Sequence, residues 1–259
     1  MKNWMKNILW IMFIIGSWVL LVCVNSATEK RVVGLPRLDI ELIDNMQFLT
    51  HEQLMNRLRN RHFVADSMTY AETDLLAIEQ YIREMPEVKQ VEVFSYVSGE
   101  WEIEVKLRKP IARIFNRDGS SCYLDADGTL MPLSPNYTAH VITVNGYINE
   151  TDYSKNVNDI INNDSLKTIE ILDDLYAIST YVCSDEFSSA QITHIYINEY
   201  NEFEMIPRVG DHRIMFGDAS LIEGKFQKLE WFYTEGLNKA GWSQYDTINI
   251  MYKSKVFAN

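Results

Sequence analysis

The sequence predicts an α+β protein: an N-terminal transmembrane helix, a small βααββ domain, and a larger mixed β domain with flanking helices. Three observations carry that reading. Ile8 to Val24 is an uncharged apolar run, Leu75, Ile78, Ile82 and Met85 recur at helical spacing, and Trp101 to Arg108 alternates strictly. In that alternation Trp101, Ile103, Val105 and Leu107 face one way and Glu102, Glu104, Lys106 and Arg108 the other. One face is therefore expected to be buried and the other wet.

As a helix, the apolar run covers roughly 26 Å, close to the hydrocarbon core of a bilayer. Lys2 and Lys6 precede it, and Trp4, Trp10 and Trp18 add aromatic anchoring. A cleaved signal would have a shorter apolar core and a better cleavage site than Asn25-Ser26-Ala27, and a lipoprotein signal would carry small residues before Cys23. The segment reads as an uncleaved anchor over 8–25 behind a cytoplasmic stub over 1–7, with the bulk of the chain on the far side. Lys30 and Arg31 just beyond it blunt the charge asymmetry that sets this orientation.

Leu38 to Leu42 alternates as a short strand, and Thr50-His51-Glu52-Gln53 spells a capping box ahead of Leu54 and Leu58. A second helix starts after Thr73 and ends before Pro86. Val88–Tyr96 and Trp101–Arg108 then form a hairpin across Ser98-Gly99, and Pro110, lacking a donor, stops the ladder. Beyond it, strands are expected at Ile111–Phe115, Ser121–Leu124, Val141–Val144, Gln191–Ile197, Glu202–Pro207 and Arg213–Phe216. An acidic helix turns Ile169, Leu172, Leu175, Tyr176 and Ile178 inward. Another, from Leu221 to Leu237, does the same with Ile222, Phe226, Leu229 and Phe232 or Tyr233. Thr247 to Tyr252 is expected to be the last strand.

The 36 acidic and 24 basic residues leave a net charge of −12, which argues against nucleic acid as a partner. Cys122 and Cys183 are expected to be free thiols rather than a disulfide framework. The histidines His51, His62, His140, His194 and His212 are scattered, without an HExxH pair, and no cofactor is expected. There is no GxSxG elbow and no serine followed three residues later by lysine, so a membrane-anchored hydrolase or transpeptidase lacks its nucleophile motif. Asp125-Ala126-Asp127-Gly128 has the start of a calcium loop but not its further ligands, and reads as a tight turn. Arg113 reads as a strand arginine paired with a neighbouring acid. The expectation is a protein that is not an enzyme.

Recognition is what remains. Tyr245 to Tyr252 alternates near the chain end, and an exposed edge strand there would offer backbone donors and acceptors to a partner strand. The alternative, that this strand simply completes the sheet, stays open at this point.

The order of motifs resembles the bacterial division family FtsQ/DivIB. The resemblance runs through the anchor and Ile78-Glu79…Met85-Pro86-Glu87-Val88, then Lys109-Pro110-Ile111-Ala112-Arg113. It continues in Tyr123-Leu124-Asp125…Gly128…Met131-Pro132-Leu133-Ser134, Lys225-Phe226…Lys228-Leu229 and Ile250-Met251-Tyr252. It implies a POTRA-like domain over 36–109 and an FtsQ-type β domain over 110–259. It further implies a non-enzymatic bitopic scaffold of the division septum in the inner membrane, which binds FtsB–FtsL and other division proteins and helps control septal peptidoglycan synthesis. Under this resemblance Tyr252 matches the family's contact tyrosine, Ser254 the small polar position after it, and Trp242 a nearby aromatic. Ile248 and Ile250 belong to the docking strand, where proline at Met251 should weaken capture. The competing reading is a POTRA-bearing, membrane-anchored assembly or transport factor, which would normally show repeated units or barrel-length strands.

Overall fold

The computed structural model describes residues 2–29, 32–41, 46–96, 98–135, 137–153, 156–163 and 171–259. Two units result, Met1–Leu107 and Arg108–Asn259. Together they make a mixed α+β protein.

The first unit begins with α1 (Lys2–Glu29), in which the side chains of Trp4 and of residues 8–21 are exposed. Among the described residues no helix is long and apolar enough to cross a membrane. The remainder of the expected anchor, side chains 22–25, lies outside them. β1 (Arg37–Glu41) follows, with Leu42 of the expected strand also outside the described residues. α2 (His51–Asn60) opens on the capping box that the sequence spells: Gln53 N–H donates to Thr50 Oγ1 at 3.2 Å, and Thr50 N–H donates to Gln53 Oε1 at 3.1 Å. α3 (Leu75–Arg83) is capped by Asp74, one residue later than Thr73, through a 3.0 Å bond from Ala77 N–H.

β2 (Val88–Ser95) and β3 (Trp101–Leu107) form the hairpin, and β1 pairs parallel to β3, so β3 is central in the order β1-β3-β2. Leu54, Leu58, Ile78, Ile82 and Met85 are buried together with Ile40, Val91, Ile103 and Val105. Glu102 departs from the expected wet face and is buried. The central position explains this: Arg37, on the neighbouring strand, reaches its carboxylate at 3.3 Å, and Tyr96 Oη donates to it at 2.8 Å.

Among the described residues, the second unit is built on nine strands: β4 (Pro110–Phe115), β5 (Ser121–Asp125), β6 (Leu130–Pro132), β7 (Ile142–Gly146), β8 (Ile192–Ile197), β9 (Phe203–Pro207), β10 (Arg213–Gly217), β11 (Thr247–Asn249) and β12 (Phe257–Ala258). Their order is β12-β11-β10-β9-β8-β7-β4-β5-β6. The β4–β7, β7–β8 and β10–β11 pairs are parallel and the rest antiparallel.

The helices of this unit are α4 (Val157–Ile161), α5 (Leu172–Ser184), α6 (Glu186–Gln191) and α7 (Ile222–Trp231). The last runs on as a wide π segment (Phe232–Leu237) and a final turn (Asn238–Ala240). The expected Leu221–Leu237 helix is therefore interrupted in pitch, and Leu221 itself precedes it in a left-handed conformation. Ile169 of the expected acidic helix lies outside the described residues; Leu172, Leu175, Ile178 and Val182 are its buried face.

Alternate strand positions Val144, Ile195, Met205, Ile214, Phe216 and Ile248 share one apolar cluster with Leu175, Ile178, Phe226 and Leu229. The intervening positions Thr143, His194, Glu204, Met215 and Asn249 stay part-exposed. Cys122 is buried and Cys183 exposed, and both are free; burial pushes the Cys122 thiol up to about 12.

Asp125-Ala126-Asp127-Gly128 is a tight turn. The buried Asp125 carboxylate accepts from the N–H groups of Asp127 and Thr129 at 3.0 and 2.7 Å and from Arg108 at 2.9 Å. Arg113 does something other than pair with an acid: its guanidinium lies over Phe115, 4.7 Å from the ring centroid, and its Nε donates to Ser121.

Candidate functional site

Two corrections move the candidate edge. The alternating run Thr247–Tyr252 pairs as a strand only over Thr247–Asn249, and it is not the last strand. The tail turns back as β12, with Ile248 opposite Ala258 and Asn249 opposite Phe257. Ile248 and Ile250 are fully buried core residues, so they hold the sheet together and offer no side chain to a partner. Met251 N–H donates to Asn249 Oδ1 at 3.1 Å; a proline there would break an internal bond instead of an outward one.

The edge itself is β12. Thr247 and Asn259 exchange backbone hydrogen bonds of 3.2 and 3.0 Å. In an antiparallel pair the next residue, Ala258, then turns its N–H and C=O away from β11. No strand lies beyond β12 in the sheet order among the described residues.

Beside this edge Tyr252 and Phe257 meet edge to face at 5.4 Å, each more than half exposed (57% and 53%). The two rings form an open aromatic pair on the surface beside β12. Gly224, Lys228 and the exposed Trp231 of α7 face Ser254, Lys255 and Val256 across a groove of about 430 Å³. The structure thus brings Tyr252 and Ser254 to the edge. Trp242 is half-buried with its ring against Tyr233 at 5.4 Å. Phe257 is the ring next to Tyr252. The one sequence signal for it was an isolated aromatic in a lysine-bearing tail.

Electrostatics tie α7 to this end of the sheet. Lys225 is buried, donates to Asp218 Oδ1 and O at 2.7 and 2.8 Å, and lies over the Phe216 ring. That hydrogen bond, with a second from Ser220, holds the Asp218 carboxyl down to about 2. Lys228 donates to Ile250 O at 2.9 Å and to Tyr252 O; burial and then the neighbouring Lys225 charge lower its pKa.

Behind the edge, His212 is buried with Nε2 at 2.6 Å from Tyr233 Oη, and burial lowers its pKa below the ordinary histidine value. The unfolded chain takes up a proton near pH 6.5 while the folded one resists it. The contribution of neutral His212 to stability is therefore complete above about pH 6.5 and is lost as pH falls toward the lower folded value. Urea unfolding of the chain is expected to shift to lower midpoints between pH 7.5 and 5, and His212→Gln should flatten that slope. His194, also lowered by burial, adds a slope of the same sign that His212→Gln leaves in place.

Among the described residues no group of His, Cys, Asp and Glu is arranged to hold a metal ion. Chemically, what this end of the sheet offers is a row of backbone groups, two rings and a groove with lysines.

Residues 109–259 match the family described as FtsQ/DivIB, C-terminal related. No curated protein matches the chain.

Proposed function

The chain belongs to the FtsQ/DivIB family of cell-division proteins, and from that premise we propose that it is a non-enzymatic scaffold whose C-terminal edge captures an FtsB–FtsL pair by strand addition. The observation that carries this reading is the outer side of β12, with Ala258 turning its backbone outward next to the exposed Tyr252–Phe257 pair. Main-chain bonds to a partner strand would give affinity, and rings on one face and a groove on the other would give specificity.

The rest of the assignment follows the same family. The β1-α2-α3-β2-β3 order of the first unit supports a POTRA-like module that recruits other division proteins. The Ile8–Val24 run of the sequence, carried on a helix of 28 residues whose side chains are exposed over 8–21, supports a single-pass anchor. The N-terminus would be cytoplasmic and the two units would lie at the septum on the outer side of the inner membrane.

Ala258→Pro tests the docking edge cleanly. It removes a donor that points away from β11, which an edge strand tolerates, so the fold should survive. Capture of purified FtsB–FtsL by the full chain is expected to weaken at least about tenfold with Ala258→Pro. Tyr252→Ala and Phe257→Ala are each expected to cost on the order of 2 kcal/mol. Unchanged affinity in all three variants, with the fold intact by circular dichroism, would remove β12 as the docking edge.

A further inference from the structure

The chain leaves the sheet after Asn249 and returns at Phe257, although its alternating pattern continues to Tyr252. Ile250 is still alongside β10, its N–H donating to Met215 O at 3.0 Å. Its carbonyl and that of Tyr252, two residues on, both accept from the ammonium of Lys228. On extended chain, carbonyls spaced two apart are acceptors for a neighbouring strand, but here the chain bends at Tyr252. A lysine from α7 occupies them instead.

Lys228 reaches these atoms as a half-buried side chain, and a cation removed from water is retained where carbonyls replace its hydration. Its neighbour Lys225, three residues earlier on the same helix, is satisfied separately by Asp218. The two lysines of the Lys225-Phe226…Lys228-Leu229 motif therefore have different partners, while Phe226 and Leu229, the residues that follow each of them, are core.

We propose that Lys228 is a positioning residue: by tying off the Ile250 and Tyr252 carbonyls it ends β11 at Asn249, directs the tail back as β12, and sets the Tyr252 ring against Phe257. The consequence for partner capture rests on the docking function proposed above. The clamp itself does not, and it is testable without a partner.

Hydrogen exchange on the full chain in detergent reads it directly. Lys228→Met keeps the apolar stem and removes the donors. It should speed exchange of the Thr247 and Asn259 amides about tenfold to a hundredfold, while the β8–β9 amides are unchanged. Lys228→Arg, which keeps the cation, should restore most of the protection. Protection of Thr247 and Asn259 that is the same in Lys228→Met as in the parent would overturn the proposal.

Should Lys228→Met fail to fold, the unaltered chain still decides the matter. Reductive methylation of Lys228 should run at least about tenfold slower than at the exposed Lys253 and Lys255, and equal rates would overturn the clamp. A working clamp combined with capture that ignores Tyr252→Ala, Phe257→Ala and Ala258→Pro would instead remove β12 as the docking edge and leave the clamp standing.

Discussion

Asp125→Ala is expected to destabilise the unit Arg108–Asn259 by about 3–5 kcal/mol, the loss typical of breaking a buried ion pair from one side. The carboxylate has no solvent exposure, and Arg108, its partner at 2.9 Å, is itself only 23% exposed. Truncation would strand that guanidinium and also orphan the N–H groups of Asp127 and Thr129, which bond to Oδ1 at 3.0 and 2.7 Å. Asp125→Asn should fall in between, because an amide oxygen can keep both backbone bonds while the charge is lost. Urea unfolding of the two variants checks this. A change below about 1 kcal/mol for Asp125→Ala would place the pair in the class of exposed ion pairs and refute the argument. Asp125 sits in one of the segments that carry the family resemblance, and the structure gives that segment an architectural task, closing the β5–β6 turn onto the start of β4.

Gly146→Ala is the second large effect, expected to cost on the order of 3 kcal/mol or more. Gly146 ends β7 opposite Ile197 of β8 with φ +108°, and a Cβ added there would lie 2.1 Å from the Ile197 carbonyl oxygen. That oxygen already accepts from Tyr147 N–H at 2.8 Å, so relief requires two paired strands in mid-sheet to move apart. Gly119→Ala is the control. Its φ of +86° is equally unfavourable for alanine, but nothing lies within 4 Å, so it should cost only about 1 kcal/mol. Similar losses for the two variants in denaturant unfolding would mean that backbone strain, not the clash with Ile197, sets the effect.

The C-terminal end of the sheet shows why some of the candidate site is legible in the sequence and some is not. Motif resemblance points to Tyr252 and Ser254; the structure sets the Tyr252 ring against Phe257 of β12 and puts Ser254 in the groove beside α7. Ile248 and Ile250 were assigned to the edge because alternation says which residues share a face. Alternation does not say whether that face meets helices or solvent, and here it meets Phe226 and Leu229. Phe257 went unseen because β12 has only two residues, too short for any periodicity to register. Trp242 was chosen as a nearby aromatic in sequence, whereas its ring packs on Tyr233.

What the sequence determined by itself are the features made by neighbours along the chain. The capping box at Thr50, the inward stripe of Ile78 and Ile82, the alternating β3 and the Asp125–Gly128 turn need only local hydrogen bonds or a fixed residue period. Family membership belongs with them, since the ordered motifs over 109–259 are properties of the string. Tertiary structure alone decided the burial of Glu102, the partner of Arg108, the end of β11 and the identity of the edge strand. Each depends on a group distant along the chain that folding delivers: Arg37 to Glu102, Asp125 to Arg108, Lys228 to the Ile250 and Tyr252 carbonyls, and Ala258 to Ile248. A period records which way a side chain points, and only pairing and packing supply what it points at.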